Sequence, residues 1–459
     1  MGNLNMKPVL LAVGLLAGAS PICGQFLRTS YFMDGASARV QMNPALQPTR
    51  GYFNIPVIGS LNASMSSNTL GLNDVIDMVS DDEAFYNNRA LFTGLKENNK
   101  VNANFYTDIL SFGWIRGDGF WSVNVGVRGD AGMTMPKSML EYMRDGYQYN
   151  YNDALSMKYD IYDRQMHVNV YTEIGLGYSR KITDRLTVGG RVKVLLGIAN
   201  VEMDIDRYQI DIDLPDRPYD YAEGAAAPTY GSVASQGSIV TSIKNVGLGF
   251  YDDNFGHSMA DKIDLDGYSF GIAGKGFGID LGATYQLMDN LTLSASVLDL
   301  GLLSWDKGAT IAAESTAEAV SVDADNYYQY TTCGFFDLGM YNLEAVEPES
   351  RTRRLASTIL LAGEYGFLEN TLSVGALYTT RFVLPSAVSE LTFSGTYKPK
   401  DWLNVALSYS PIMASGKSFG LALKAGPLFI GTDYMFFGGG TKTVNAFLGI
   451  SVPIGQKRG

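Results

Sequence analysis

The long connections of this chain fall between alternate pairs of predicted strands. Period-two alternation of apolar and polar residues marks fourteen strands, at 52–67, 103–115, 120–132, 166–180, 186–200, 269–286, 291–302, 354–366, 371–383, 389–398, 402–411, 418–425, 428–437 and 443–454. One set of connections, 116–119, 181–185, 287–290, 367–370, 399–401 and 426–427, holds five residues or fewer. The other set, 68–102, 133–165, 201–268, 303–353, 384–388, 412–417 and 438–442, contains every long one. An even strand number with tight turns at one end and long loops at the other predicts an all-β fold, a transmembrane antiparallel up-and-down β-barrel of about fourteen strands with long extracellular loops. A secreted sandwich would mix the two kinds of connection.

The hairpins themselves repeat. Gly282-Ala-Thr-Tyr-Gln-Leu-Met-Asp-Asn-Leu-Thr-Leu-Ser-Ala-Ser-Val297 is strand, turn, strand, and related units begin at Gly177, Gly363 and Gly395. In three copies a Tyr (Tyr285, Tyr365, Tyr397) stands four residues before an acid (Asp289, Glu369, Asp401). Trp114 and Trp121 flank another short turn. Aromatics at one depth beside short turns are what a membrane interface selects.

Composition agrees. Charged residues make up 18% of the 459 residues, below the roughly 25% of soluble chains. Tyr alone numbers 28 and Gly 51, and the net charge of −12 argues against nucleic acid as a partner. At the start, Lys7, the apolar stretch 9–19 and Gly24 read as a secretory signal over 1–24. Cys23 raises a lipoprotein alternative, for which Ile22 is a poor fit. Removal of the signal leaves Cys333 alone, hence no internal disulfide framework. No later apolar run approaches the 18 or so residues of a membrane helix.

Residues 25–51 are irregular and read as an N-terminal plug segment; 52–459 is the barrel. Within the long connections, a short helix is expected near 73–79, and another after Pro136 with Met139, Leu140, Tyr142 and Met143 on its apolar side. Residues 238–250 alternate and are expected to form an extra hairpin within 201–268. An acidic run, Asp204 to Asp220, reads as a solvated external loop.

If the Tyr phase faces lipid, the opposite phase faces the lumen. That set comprises Arg128, Glu173, Arg191, Lys193, Asp280, Glu364, Lys398 and Asp433, with both signs present so that the charges could pair. Asp108 falls on the wrong phase relative to Trp114, which calls for a bulge or a shifted register.

Catalytic and cofactor chemistry has little support. The only histidines are His167 and His257, so a triad or a His-rich metal site has few ways to form. Gly416-Lys417-Ser418 lacks the upstream Gly of a phosphate loop, and Asp264-Leu-Asp-Gly267 has Lys262 and Ala273 at EF-hand ligand positions. No enzyme, cofactor or metal is expected.

The signal, the Asn43-Pro44-Ala45 segment and the closing strands together resemble FadL-type outer-membrane barrels, which are fourteen-stranded and carry an N-terminal plug. The Gly/Tyr-rich hairpins look more like an uncharacterised barrel family of Bacteroidota, related to the shuttle barrel of type IX secretion. The last strand ends in Gln456-Lys-Arg-Gly459 without the terminal aromatic usual in such barrels. The resemblance implies that Asn43, Pro44 and Ala45 sit in the plug. It implies residence in the cell outer membrane among its lipids, and porin-like passage or uptake of a small hydrophobic molecule. The 136–144 helix would help capture that molecule. The alternative is a non-transporting barrel that scaffolds or shuttles secreted or other envelope proteins.

Overall fold

The computed structural model describes residues 28–222, 224–252, 258–264, 271–331, 337–382, 387–412, 417–434 and 441–457. The expected signal segment, both cysteines and His257 lie outside the described residues.

Alternation along the strands builds one closed antiparallel barrel of fourteen wall positions. The first is shared by β1 (Gly51–Asn54) and β2 (Leu61–Ser67). Then come β3 (Asn98–Arg116), β4 (Gly119–Pro136), β5 (Leu155–Lys181) and β6 (Leu186–Leu214). Strands β7 (Thr229–Ile243), β8 (Gly247–Asp252) and β9 (Ser258–Asp264) leave the wall. The wall resumes with β10 (Gly274–Met288) and β11 (Leu291–Trp305), followed by two more strands outside it, β12 (Thr310–Asp323) and β13 (Glu344–Val346). Strand β14 (Arg351–Arg354) and β15 (Thr358–Phe367) pair with β11. Consecutive hairpins then complete the wall through β16 (Leu372–Arg381), β17 (Val388–Lys400), β18 (Leu403–Ile412), β19 (Ser418–Ala425), β20 (Leu428–Thr432) and β21 (Thr443–Ile454). Closure is through β21, which pairs with both β1 and β2.

The wall separates two environments by strict parity. On β6, Val188, Val192 and Val194 are exposed outward while Arg191 and Lys193 are buried inward. Ile174, Leu176, Phe277, Leu281, Phe393 and Leu407 continue the outward apolar band on neighbouring strands. Such a band would be untenable in water and is what a hydrocarbon layer solvates. Near the short turns it is edged by aromatics: Trp114 stacks on Trp121 at 6.3 Å, Trp121 meets Tyr178 at 4.5 Å, and Tyr285, Tyr365, Tyr397 and Trp402 are exposed. The phase conflict at Asp108 resolves as a β-bulge between Asp108 and Leu110 in the β3–β4 ladder. The extra residue, Ile109, is exposed outward, and Asp108 is buried in the lumen.

At the long-loop end the four longest connections carry regular structure. β5 and β6 stay paired as far as Leu155 opposite Leu214. β7 adds to β6, β12 to β7, β13 to β12, β9 to β13 and β8 to β9. This sheet bends over the barrel as a dome. The acidic run expected as a solvated loop is largely β6 itself. Met203, Ile205, Ile210 and Ile212 point into the dome core and Asp204, Asp211 and Asp213 point to water. Lys158 on β5 bridges Asp211 and Asp213 at 3.0 Å each. The hairpin expected over 238–250 does not form: β7 ends at Ile243, and β8 pairs instead with β9. Helices line the inside of the dome at Leu72–Ser80, Asp82–Tyr86, Arg89–Gly94 and Lys137–Gln148. The second and third are capped by Asp81, which accepts from Ala84 N at 3.0 Å, and Asn88, which accepts from Leu91 N at 3.1 Å.

Candidate functional site

Three layers fill the lumen. The lowest, beside the short turns, is the N-terminal segment. Tyr31, Phe32, Met33, Ala36 and Met42 pack with Leu298, Leu360, Leu377, Phe429 and Phe447 of the wall. Polar bonds fix the register of the segment. Asp433 accepts from Thr29 N (2.7 Å) and Arg28 N (3.3 Å), Arg28 pairs with Glu390 at 2.6 Å, and Tyr434 donates to Glu390 at 2.9 Å. Asn43 donates to the carbonyls of Ala283 (3.4 Å) and Ala295 (3.3 Å), and its Oδ1 accepts from Ala45 N at 2.9 Å. Pro44 lies so near β6 that a Cβ on Gly189 would sit 2.5 Å from its carbonyl carbon. On β10, a Cβ on Gly282 would sit 2.1 Å from Asn43 Oδ1. Wall glycines are therefore what lets this segment approach. Asp34 is held by Arg39 and by Lys398 at 2.7 Å. Burial works against its charge, but the two cations hold its carboxyl down to about 2.

The middle layer is a cluster of three acids and three bases. Glu173 takes Arg128 at 2.7 Å, Lys193 at 3.4 Å and Arg191 at 3.6 Å, and accepts from Asn124 at 2.9 Å. Asp280 takes Lys193 at 2.7 Å and Arg191 at 3.0 Å. Asp299 takes Lys193 at 2.6 Å. Six charges of equal count and opposite sign satisfy one another where water is scarce. Arg191 also donates to the carbonyl of Gln41 at 3.1 Å, which ties this layer to the N-terminal segment. Of the eight charges assigned to the lumen from the sequence, Arg128, Glu173, Arg191, Lys193 and Asp280 meet here. Lys398 and Glu364 lie lower, and Asp433 binds residues 28 and 29.

The top layer is the apolar core of the dome. Met139, Leu140, Tyr142 and Met143 are each 0–1% exposed within it. Tyr142 bonds Tyr208 (3.0 Å) and the carbonyl of Tyr330 (2.7 Å). The apolar face of this helix is thus occupied by the dome and offers none of the four side chains to solvent.

Among the described residues, the ladder between β2 and β3 is interrupted. Between β2 and β3 the sole register pair is Ser67 with Val101. The chain at 55–60 kinks out of the wall, with Val57 at φ +69°. Val57 N donates to Asp108 O and Asp108 N to Ser60 O, both at 2.9 Å. Above that clamp, residues 61–66 and 102–107 face each other without ladder pairing. Behind them lies a cavity of about 60 Å³, reached by Asn62, Asn104, Tyr106, Gln41, Arg128 and Asp299. Asp108 holds two of the lining residues, accepting from Gln41 (2.9 Å) and from Tyr106, and also accepts from Asn54 (3.3 Å). His167 faces Asp130 at 3.7 Å near the same level.

The sequence analysis missed Asp299, Asn124, Glu390 and the charges of the N-terminal segment. Asp299 had a signal, an acid inside an apolar strand run, but its φ of +58° marks a local break that alternation does not register. Arg28 and Asp34 lie in irregular chain and had none; Arg39 opens a short helix, Arg39–Met42, within the segment expected to be irregular.

Residues 44–433, most of the barrel and the end of the segment beneath it, match the model of a family described as a family of unknown function, DUF5723. The chain belongs to this family. In the DUF5723 chain the matched stretch begins at Pro44, one residue after Asn43, and spans the whole charge cluster. No curated protein matches it by sequence. Among solved structures, the toluene transporter TbuX of Ralstonia pickettii is similar with TM-score 0.43 and 11% identity, over 91% of this chain and 94% of that one. The toluene transporter TodX of Pseudomonas putida gives 0.36 and 10%, over 94% and 93%. A FadL homologue of Pseudomonas aeruginosa gives 0.40 and 10%, over 94% and 97%. These low-identity likenesses concern the fold alone.

Proposed function

We propose that this DUF5723 chain is an outer-membrane barrel that passes a small hydrophobic molecule between the membrane and its lumen through the gap between β2 and β3. The observation that carries the reading is the unpaired stretch of wall opening onto an internal cavity, since unpaired strand edges at membrane depth are costly unless they line a route. The short turns face the periplasm and the dome faces outside. The state described is closed: about 60 Å³ holds a few waters, on the order of five. Residues 28–50, with Asn43, Pro44 and Ala45 at their foot, act as the plug whose displacement enlarges it. The helix bearing Met139, Leu140, Tyr142 and Met143 captures the molecule only when the dome opens. No reaction is assigned to the chain.

A second reading, a barrel that scaffolds or shuttles secreted proteins, is favoured by the dome, whose packed core gives the long-loop end a fixed outer surface. One experiment separates the two. In a Cys333→Ser background, Asn62→Cys and Asn104→Cys are introduced across the gap, and toluene uptake into proteoliposomes is followed. Uptake lost on oxidation and restored on reduction supports lateral passage. Uptake that is absent, or indifferent to the cross-link, removes that reading in favour of the scaffold.

A further inference from the structure

At the short-turn mouth, on the far side of the N-terminal segment from the gap, a second cavity of about 280 Å³ opens. Its size is at the small end of ligand pockets. Tyr31 and Phe32, edge to face with ring centroids 5.1 Å apart, back one side, with their rings packed into the apolar layer and only 1% and 4% exposed. The opposite wall is strand polar groups. Two bases face three acids there: Asp34 holds both Arg39 and Lys398, and Glu364 and Asp289 also line the cavity. What remains is chiefly neutral. Asn404 is 1% exposed, and both its amide nitrogen and oxygen lack a hydrogen-bond partner among the described residues. The Thr396 hydroxyl, equally enclosed, lacks one too. Beside them Glu364 accepts from Ser373 at 2.7 Å and makes no ion pair among the described residues. A buried amide left with both functions unmet is costly.

We propose that this cavity is a saccharide site that takes one pyranose-sized neutral sugar unit from the periplasmic side. The chemistry of the walls selects that class. A side-chain amide offers a donor and an acceptor together, which suits a hydroxyl that does both. A carboxylate with a free oxygen accepts from adjacent hydroxyls of one ring. A hydrocarbon would leave Asn404, Thr396 and Glu364 unmet, and an anion would face Glu364. The site does not depend on lateral passage, for it shares no lining residue with the cavity behind the gap.

The test is calorimetric titration of the purified full chain in lauryldimethylamine oxide, a detergent without a sugar headgroup, using N-acetylglucosamine and glucose. Saturable binding of either is expected. It should weaken about tenfold in Asn404→Leu and in Glu364→Gln, as loss of one or two hydrogen bonds requires. Tyr162→Ala, on the dome, should leave it unchanged. Folding of each variant is checked by heat-modifiable migration, and Glu364→Gln, the smaller change, decides the matter if Asn404→Leu does not fold. No saturable binding in the wild type, equal binding in a folded site variant, or equal displacement by glycerol would overturn the proposal.

Discussion

Lys193 touches three carboxylates, Glu173 at 3.4 Å, Asp280 at 2.7 Å and Asp299 at 2.6 Å. Its replacement by Met keeps the stem and removes the charge. Two acids would then lose their nearest cation in a buried layer. We expect Lys193→Met to cost about 3–5 kcal/mol, read as a lowered midpoint in guanidinium unfolding in detergent. A double variant, Lys193→Met with Asp299→Asn, should recover part of the loss. A second residue sets a pH response. Asp34 has its carboxyl held at about 2, below its ordinary 3.8. A lowered carboxyl stabilises the fold above the unfolded value, and that contribution disappears as pH falls through the folded one. Hydrogen exchange in residues 28–50, corrected for intrinsic rate, should therefore rise between pH 4 and pH 2, and much less in Asp34→Asn. The side chain of Asp34 is half open to the cavity mouth, so solvent screens the effect and keeps it modest. The sequence displayed most of these lumen acids and bases, since each interrupts an apolar alternation on one phase. Which base meets which acid was not legible. Partners such as Arg128 and Glu173 lie 45 residues apart, and strand register alone brings them level.

Elements carry the next level of constraint. β6 and β10 present Gly189 and Gly282 where the N-terminal segment crosses them. At Gly189 the obstacle is the Pro44 backbone, which cannot turn aside as a side chain can. Gly189→Val should lift the segment off the wall, seen as new trypsin cleavage at Arg39 or Arg50, while the barrel stays heat-modifiable. Leu46→Ala, which removes a contact without inserting bulk, should change cleavage far less. Strands in the membrane were legible because one face is uniformly apolar. Those of the dome were not, although their alternation continues. On β6, Met203, Ile205, Ile210 and Ile212 alternate with acids, and a high density of Asp reads as solvated loop when the core beneath it is unseen. The bulge after Ile205 in the β6–β7 ladder breaks the phase further. Helix Lys137–Gln148 was legible from Pro136 and its apolar spacing, but not what covers its face.

For the whole molecule, the outward band predicts how the barrel answers to charge. Val192 is 57% exposed on the lipid face, and Val192→Arg should lower stability by about 2–4 kcal/mol if it lies near the midplane. Tyr162→Arg on the dome, facing water, should have little effect. The temperature at which migration shifts on a gel measures both. The even strand number and segregated connections made this architecture the most legible property of the chain, because they depend on connection lengths alone. The bonds of Arg28 and Thr29 carry a further meaning. Thr29 reaches Ser408 across 379 residues, and both residues reach Asp433 across 404 and 405. The side-chain bonds that seat Arg28 and Thr29 on the wall therefore wait for strands near the end of the chain. Synthesis delivers the N-terminal segment first, yet its seat is finished last, so the segment cannot be fixed in register before the closing strands are in place. A barrel halted before β18 would hold that segment loosely, and the order of manufacture becomes part of what the sequence encodes.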